Sequence, residues 1–194
     1  MITSPEHSIV ISPVGTLDNE LFETISIQIN RIFRYKTEVI PLLQDVNFAF
    51  DPKRKQHHST PILKKLEEVA PVQATKIIGI TSVDLFIPIL THVYGEAQIG
   101  GTACIISTHR LSEGLSLAAD KNSYYQRVAK EAVHELGHTF KLRHCKDSAC
   151  IMHYCRSIKD VDRKSEQLCR YCKTLLDDEI KRLSDRLPLV DRRL

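Results

Sequence analysis

No run of apolar residues in this 194-residue chain approaches the roughly 20 that a membrane span requires. The stretch from Met1 to His7 has neither the charged nor the apolar region of a signal peptide, so a cytoplasmic location is expected. No pro-segment, internal repeat, low-complexity tract or linker is evident either. The length suffices for one sizeable core and is too short for two ordinary domains plus a linker, so residues 1–194 read as a single domain, expected to act as a monomer. A net charge of +3 calls for neither nucleic acid nor a membrane surface. Basic residues do gather late, at Arg163, Lys164, Arg170, Lys173, Lys181, Arg182, Arg186, Arg192 and Arg193. They are interleaved with Glu166, Asp177, Asp178, Glu179 and Asp185, the pattern of a solvated helix face.

Apolar runs and turn residues place the elements. Ser8 to Val14 reads as a first strand closed by Gly15, and a helix capped by Asp18 or Thr16 follows through Arg34. Lys36 to Leu43 reads as a second strand. His57 and His58 fall in a polar connection, where neighbours on extended chain point opposite ways, and both are expected at the surface. Pro61 opens a short helix to Val69 with Thr60 as its cap, and Lys76 to Thr81 is a buried strand. Gly100 to Thr108 is another strand. Ser123 and Gln126 have capping-box spacing before an apolar stripe running from Tyr125 to Phe140. Leu168 to Leu187 reads as a terminal helix stopped by Pro188. Strands alternating with helices imply an α/β or α+β sheet layer.

The stretch His134-Glu135-Leu136-Gly137-His138, followed by His144, carries the chemistry. On a helix His138 lies about 40° round from His134 and one turn along, so both rings can reach one metal ion. Glu135 sits about 100° from His134, poorly placed as a third ligand and well placed to take a proton from a water. His144 is too far along a straight helix, so the chain must stop and turn back to bring it in. With His134, His138 and His144 as protein ligands, a tetrahedral zinc keeps one position open, which is the mark of a catalytic site. Cys145 and Cys150, with Cys169 and Cys172 later, have the spacing of a second, closed, four-cysteine zinc site. Disulfides are the alternative, disfavoured in a reducing compartment. Cys155 is a spare that could substitute, and Cys104 lies in an apolar strand as a small hydrophobe.

Together these residues resemble the archaemetzincins, a branch of the metzincin zinc peptidases. The resemblance rests on the His134 to His138 helix, His144, the adjoining Cys145, Cys150-Ile151-Met152 and the final Cys169-x-x-Cys172, and it spans about Ser123 to Cys172. It implies a zincin fold in which a twisted mixed sheet lies over the active-site helix. An upper part would end near residue 138, and a lower part, 139–194, would be a small helical region stapled by zinc. Met152 matches the Met-turn beneath the three histidines, although read alone it would be core filling. Tyr154 resembles the tyrosine two residues past that methionine in the astacin branch, where a phenol could donate to the developing oxyanion. Packing at the cleft edge is the plainer account of it. Tyr94 to Ala97 and the strand through Ile105 and Ile106 resemble the region where metzincins pair with substrate, and the segment from Gly101 to Ser107 is expected to offer that edge.

One departure stands out. The family's pattern has glycine three residues after the second zinc histidine, and this chain has Lys141. If the position needs positive φ, lysine costs roughly 1 to 2 kcal/mol, which the surroundings can absorb. The expected activity is zinc-dependent hydrolysis of peptide bonds, with two zinc ions per chain, a peptide or protein as substrate and Glu135 as general base. Two other readings use the same residues. One is a binding module for RNA or protein with a vestigial histidine site, which an intact Glu135 argues against. The other is a zinc enzyme acting on a non-peptide amide.

Overall fold

The structure, a computed structural model, describes residues 7–186. Five strands form the main sheet: β1 (Ser8–Val14), β2 (Lys36–Val39), β5 (Ala74–Thr81), β7 (Gly95–Ala97) and β8 (Ala103–Ser107), in the order β2-β1-β5-β8-β7. All neighbouring pairs are parallel except β7, which runs antiparallel to β8 at the edge. A smaller sheet joins β3 (Phe50–Asp51), β4 (Gln56–His58) and β6 (Leu85–Phe86). Helices α1 (Asn19–Phe33) and α3 (Lys121–Thr139) cover one face of the main sheet and α2 (Ser59–Glu68) the other.

This double cover explains why the central strands read as unbroken apolar runs. Ile9, Ile11, Ile78, Ile80, Cys104 and Ile106 point toward α1 and α3. Their alternates Val10, Ile77, Ala103 and Ile105 meet Ile62, Leu63 and Leu66 of α2. Beyond α3 the chain forms a short α4 (Ile158–Arg163) and the long α5 (Arg170–Arg186).

The sequence-based elements hold with local corrections. Asp18 caps α1, its carboxylate accepting the Glu20 amide at 3.1 Å. The second strand ends at Val39 rather than Leu43, because Pro41 has no N–H to continue the ladder and the Leu42 amide turns to the Ser12 hydroxyl at 3.0 Å. Thr60 does not cap α2, which begins one residue earlier. The hydroxyls of Ser59 and Thr60 both donate to Glu96 of β7, so the first turn is anchored to a neighbouring strand while its amides receive no side-chain cap. Helix α3 starts two residues before Ser123, which places that serine inside the first turn and leaves no capping box. His57 is buried and His58 half-buried, not exposed: β4 is the middle strand of its sheet, the His57 ring lies tilted against Phe50 and the His58 ring stacks on Phe86, with centroids at 5.1 and 5.2 Å. Helix α4 was not anticipated, although Ser157-x-x-Asp160 is its signal; the Asp160 carboxylate accepts the Ser157 amide at 3.0 Å. Helix α5 starts at Arg170, two residues late, because Cys169 turns inward and its amide donates to Cys150 Sγ at 3.3 Å. Leu187 and Pro188 lie outside the described residues.

Candidate metal centres and the cleft

Helix α3 runs under the sheet with one end in the core, and from Glu131 to Thr139 every residue on it is buried. Its exit is a Schellman turn: the Lys141 amide donates to the His138 carbonyl at 2.9 Å and the Leu142 amide to the Gly137 carbonyl at 3.0 Å. Lys141 occupies the left-handed position of that turn, with φ 65°. The family's glycine position therefore keeps its backbone conformation here with a lysine in it. The turn reverses the chain and brings His144 back beside the helix.

The three imidazoles His134, His138 and His144 converge, with one ring nitrogen of each within 4.8 Å of the others. His134 Nδ1 lies 2.9 Å from the Ile151 carbonyl and His138 Nδ1 lies 2.8 Å from the Leu142 carbonyl. A carbonyl only accepts, so each Nδ1 carries the proton and each Nε2 keeps its lone pair. Those two Nε2 atoms are 3.2 Å apart. Facing lone pairs at that distance repel unless a cation lies between them, and Zn–N bonds of 2.0–2.1 Å in a tetrahedron separate two nitrogens by about 3.4 Å. Burial lowers the proton affinity of all three rings, in agreement with neutral ligands. The donor set thus fits zinc.

The same test applies to the thiols. Cys145, Cys150, Cys169 and Cys172 bring their sulfurs within 4.8 Å of one another, and none is in a disulfide. Cys145 and Cys169 are 3.8 Å apart, the edge of a tetrahedron with Zn–S bonds of about 2.3 Å. Cys155 lies outside this set, its thiol directed at the His153 carbonyl at 3.6 Å. Cys104 is fully buried on β8. The two candidate sites adjoin through His144 and Cys145.

Met152 is fully buried beneath the histidines. A Cβ placed on Gly137 would come 2.5 Å from Met152 Sδ, so the methionine packs on the bare backbone between the two helical histidines. Tyr154 is 44% exposed, its ring 4.9 Å from that of His144 at the cleft edge. Glu135 is buried, and burial, with the Glu131 charge adding to it, pushes its carboxyl up to about 8 against the opposing pull of Lys164. A dication held by the three rings would bring it back down.

Above the histidines lies a cleft of about 670 Å³. Its upper wall is β7, not the segment from Gly101 to Ser107: β8 is an interior strand, paired on both sides by β5 and β7. The Tyr94 carbonyl and the Gln98 amide bond toward β8, and alternation then turns the backbone groups of Gly95 and Ala97 toward the cleft. Gly95 leaves no room for a side chain, since a Cβ there would meet Glu135 Cγ at 2.6 Å. Sequence reasoning missed this contact and also the buried ion pair of Lys164 with Glu131 at 2.7 Å, whose side chains are 0% and 4% exposed. The signal for Glu131 was present: it sits one turn before Glu135 on a stripe that is otherwise apolar.

The family model of peptidase family M54 matches residues 18–178. An archaemetzincin from Archaeoglobus fulgidus is 35% identical over 165 residues, covering 84% of this chain and 95% of that protein. One from Methanocaldococcus jannaschii is 34% identical, covering 88% and 93%. Among solved structures, the archaemetzincin of Methanopyrus kandleri superposes with a TM-score of 0.79 at 29% identity over 93% of this chain and 99% of that one. A zinc-dependent peptidase from Methanocorpusculum labreanum gives 0.75 at 26% identity over 87% and 100%. No helix among the described residues is long and apolar enough to cross a membrane. The mixed sheet over a histidine-bearing helix, the converging histidines and the similarity across nearly the whole length agree: the chain belongs to peptidase family M54, the archaemetzincins, and is a zinc metallopeptidase.

Proposed function

We propose that this peptidase holds a catalytic zinc on His134, His138 and His144 and hydrolyses peptide bonds with Glu135 as its general base. The observation that carries the reading is the pair of Nε2 lone pairs facing each other at 3.2 Å, with both Nδ1–H groups already spent on carbonyls, directly beside a buried carboxylate. Zinc, when bound, supplies a Lewis acid that acidifies water toward a pKa of about 7 and polarises a carbonyl. Glu135 takes the proton of the attacking water and passes it to the amine that leaves. Its position is fixed by Gly95, which closes on its side chain from the strand above. The free backbone groups of Gly95 and Ala97 pair with the substrate main chain, so that an extended peptide adds a strand to the sheet. Tyr154, whose ring lies beside His144 at the rim, would donate its hydroxyl hydrogen to the oxygen that gains charge.

A second zinc on Cys145, Cys150, Cys169 and Cys172 is structural in this reading, with no open position. It fastens α5 to the segment that delivers His144. The cleft then separates an upper part, to about residue 138, from a lower part that begins at the Schellman turn. The test is a peptide-library digest with zinc added, run beside Glu135→Ala. Cleavage by the native protein and its loss in the variant are expected; equal cleavage by both would refute the assignment of Glu135.

A further inference from the structure

The substrate's charge is written in the cleft. Glu131 and Glu135 are the carboxylates that line it. Glu131 is neutralised by Lys164 at 2.7 Å, and Glu135 is the proton carrier of the reading above. The cations are Arg143 and Arg156, both exposed, both lining the cleft, and neither with an ion-pair partner among the described residues. A cleft lined by two unpaired guanidinium groups and no unpaired surface carboxylate has a positive field, concentrated by its low-dielectric walls.

The two arginines belong to segments that meet α3 at different ends. Arg143 follows the C-terminal end of α3, beside Leu142 whose carbonyl holds His138; the Gly100 amide donates to the His138 carbonyl at 2.9 Å at this same end of the helix. Arg156 instead precedes α4, whose Val161 carbonyl accepts the Lys130 ammonium at 3.1 Å and whose Asp162 pairs with Arg127 at 2.7 Å, on the part of α3 that comes before His134. Strand β7 runs from that end, where Gly95 touches Glu135, toward Gly100 at the Arg143 end. A peptide pairing antiparallel with β7 therefore enters with its N-terminal side at Arg143 and its C-terminal side at Arg156.

We propose that the cleft selects peptides bearing carboxylates on both sides of the cut bond, Arg143 engaging those upstream and Arg156 those downstream. The carboxylate is an acidic side chain or, downstream, the peptide's own C-terminus. Guanidinium matches carboxylate with two parallel hydrogen bonds, which fixes position as well as sign. The proposal rests on the peptidase reading for its polarity, and its test separates the two.

Peptides identical except for Glu, Gln or Lys upstream or downstream of the cut bond, each with a free or amidated C-terminus, are compared on the zinc-loaded native protein, Arg143→Gln and Arg156→Gln. Glu is expected to exceed Gln in kcat/KM by about three- to fivefold per position. That ratio should fall toward one upstream in Arg143→Gln and downstream in Arg156→Gln, and should shrink as salt is raised. A downstream gain confined to free C-termini also supports the proposal and assigns the carboxylate to the peptide end. Dissociation constants for the same peptides on zinc-loaded Glu135→Gln give a reading independent of turnover. Tighter binding of Glu peptides without any cleavage by the native protein would keep the carboxylate selection and overturn the hydrolytic assignment. Cleavage and binding blind to charge, a preference for Lys, or a Glu preference that survives both arginine replacements would overturn the selection and leave the peptidase standing.

Discussion

The ammonium of Lys141 lies 2.7 Å from the carboxylate of Glu179 and so ties the exit of α3 to the middle of α5. Glu179 is itself 8% exposed and also receives Arg182 at 3.0 Å. The stem of Lys141 covers Gly100, where an added Cβ would lie 3.0 Å from Lys141 Cγ. A glycine could make none of these contacts. The lysine thus occupies a left-handed backbone position at some strain and offsets it with an ion pair and a packed stem, at the turn that brings His144 to the other histidines.

Replacing Lys141 should show that balance. Lys141→Gly relieves about 1 kcal/mol of backbone strain and loses a comparable amount through unfolded-state entropy and the ion pair, so the net change should be under about 1 kcal/mol. Lys141→Val, β-branched at φ 65°, should cost about 1 to 3 kcal/mol more than the glycine. Denaturation midpoints of both variants, alone and with Glu179→Gln, decide it. A valine as stable as the glycine would mean that the turn relaxes rather than holds its conformation.

Much of this was legible because the signals are local. The His134 to His138 spacing and the two short-spaced cysteine pairs state their geometry in a few residues, while Met152 is legible only through the family's Met-turn. The positive φ at Lys141 was suggested only by the family's glycine at that position, and the backbone bears it out. What was not legible depends on partners far along the chain. The buried placement of His57 and the half-buried one of His58 come from the strands on either side of them, and the anchor of the first turn of α2 comes from Glu96 on another strand. The edge position of β7 is a matter of strand order, which alternation of apolar residues does not encode. The pairing of Glu131 with Lys164 likewise joins residues that no short spacing relates.

Zinc content should be two equivalents per chain, and removing them should have unequal effects. Chelation or Cys169→Ser with Cys172→Ser should lower the melting temperature far more than Cys104→Ala, because binding energy at a structural site is folding energy. His134→Ala with His138→Ala should lose one equivalent and keep most of the stability. Metal analysis beside thermal melts checks both. One equivalent that disappears with the cysteines and is untouched by the histidines would remove the catalytic site from the reading.

Glu135→Ala should bind as much zinc as the native protein and melt near the same temperature, yet lose about 10² to 10⁴ in kcat. No ligand is removed, and the side chain is lost from a buried position where Gly95 packs against it. Metal analysis and turnover on any cleaved peptide give the comparison. A variant that loses zinc along with activity would place Glu135 in metal binding instead of proton transfer.

The last prediction concerns Lys164 and Glu131, which share a site that water does not reach. Burial alone would push the lysine down, but the Glu131 carboxylate, with the Cys155 thiol and Glu135 adding to it, outweighs burial and holds the ammonium above its ordinary value. A lysine raised in the folded state stabilises the fold fully below the unfolded pKa of about 10.4 and loses that contribution as pH rises beyond it. The pair should therefore be intact at neutral pH. Lys164→Met leaves the Glu131 carboxylate buried without its cation and should cost about 3 to 5 kcal/mol at pH 7. Adding Glu131→Gln should recover most of that loss, since two neutral side chains leave no buried charge uncompensated. Urea midpoints of the two single variants and the double variant form the cycle. Additive losses, with the double variant worse than either single one, would show that the two residues stabilise the fold separately and that the contact between them contributes little.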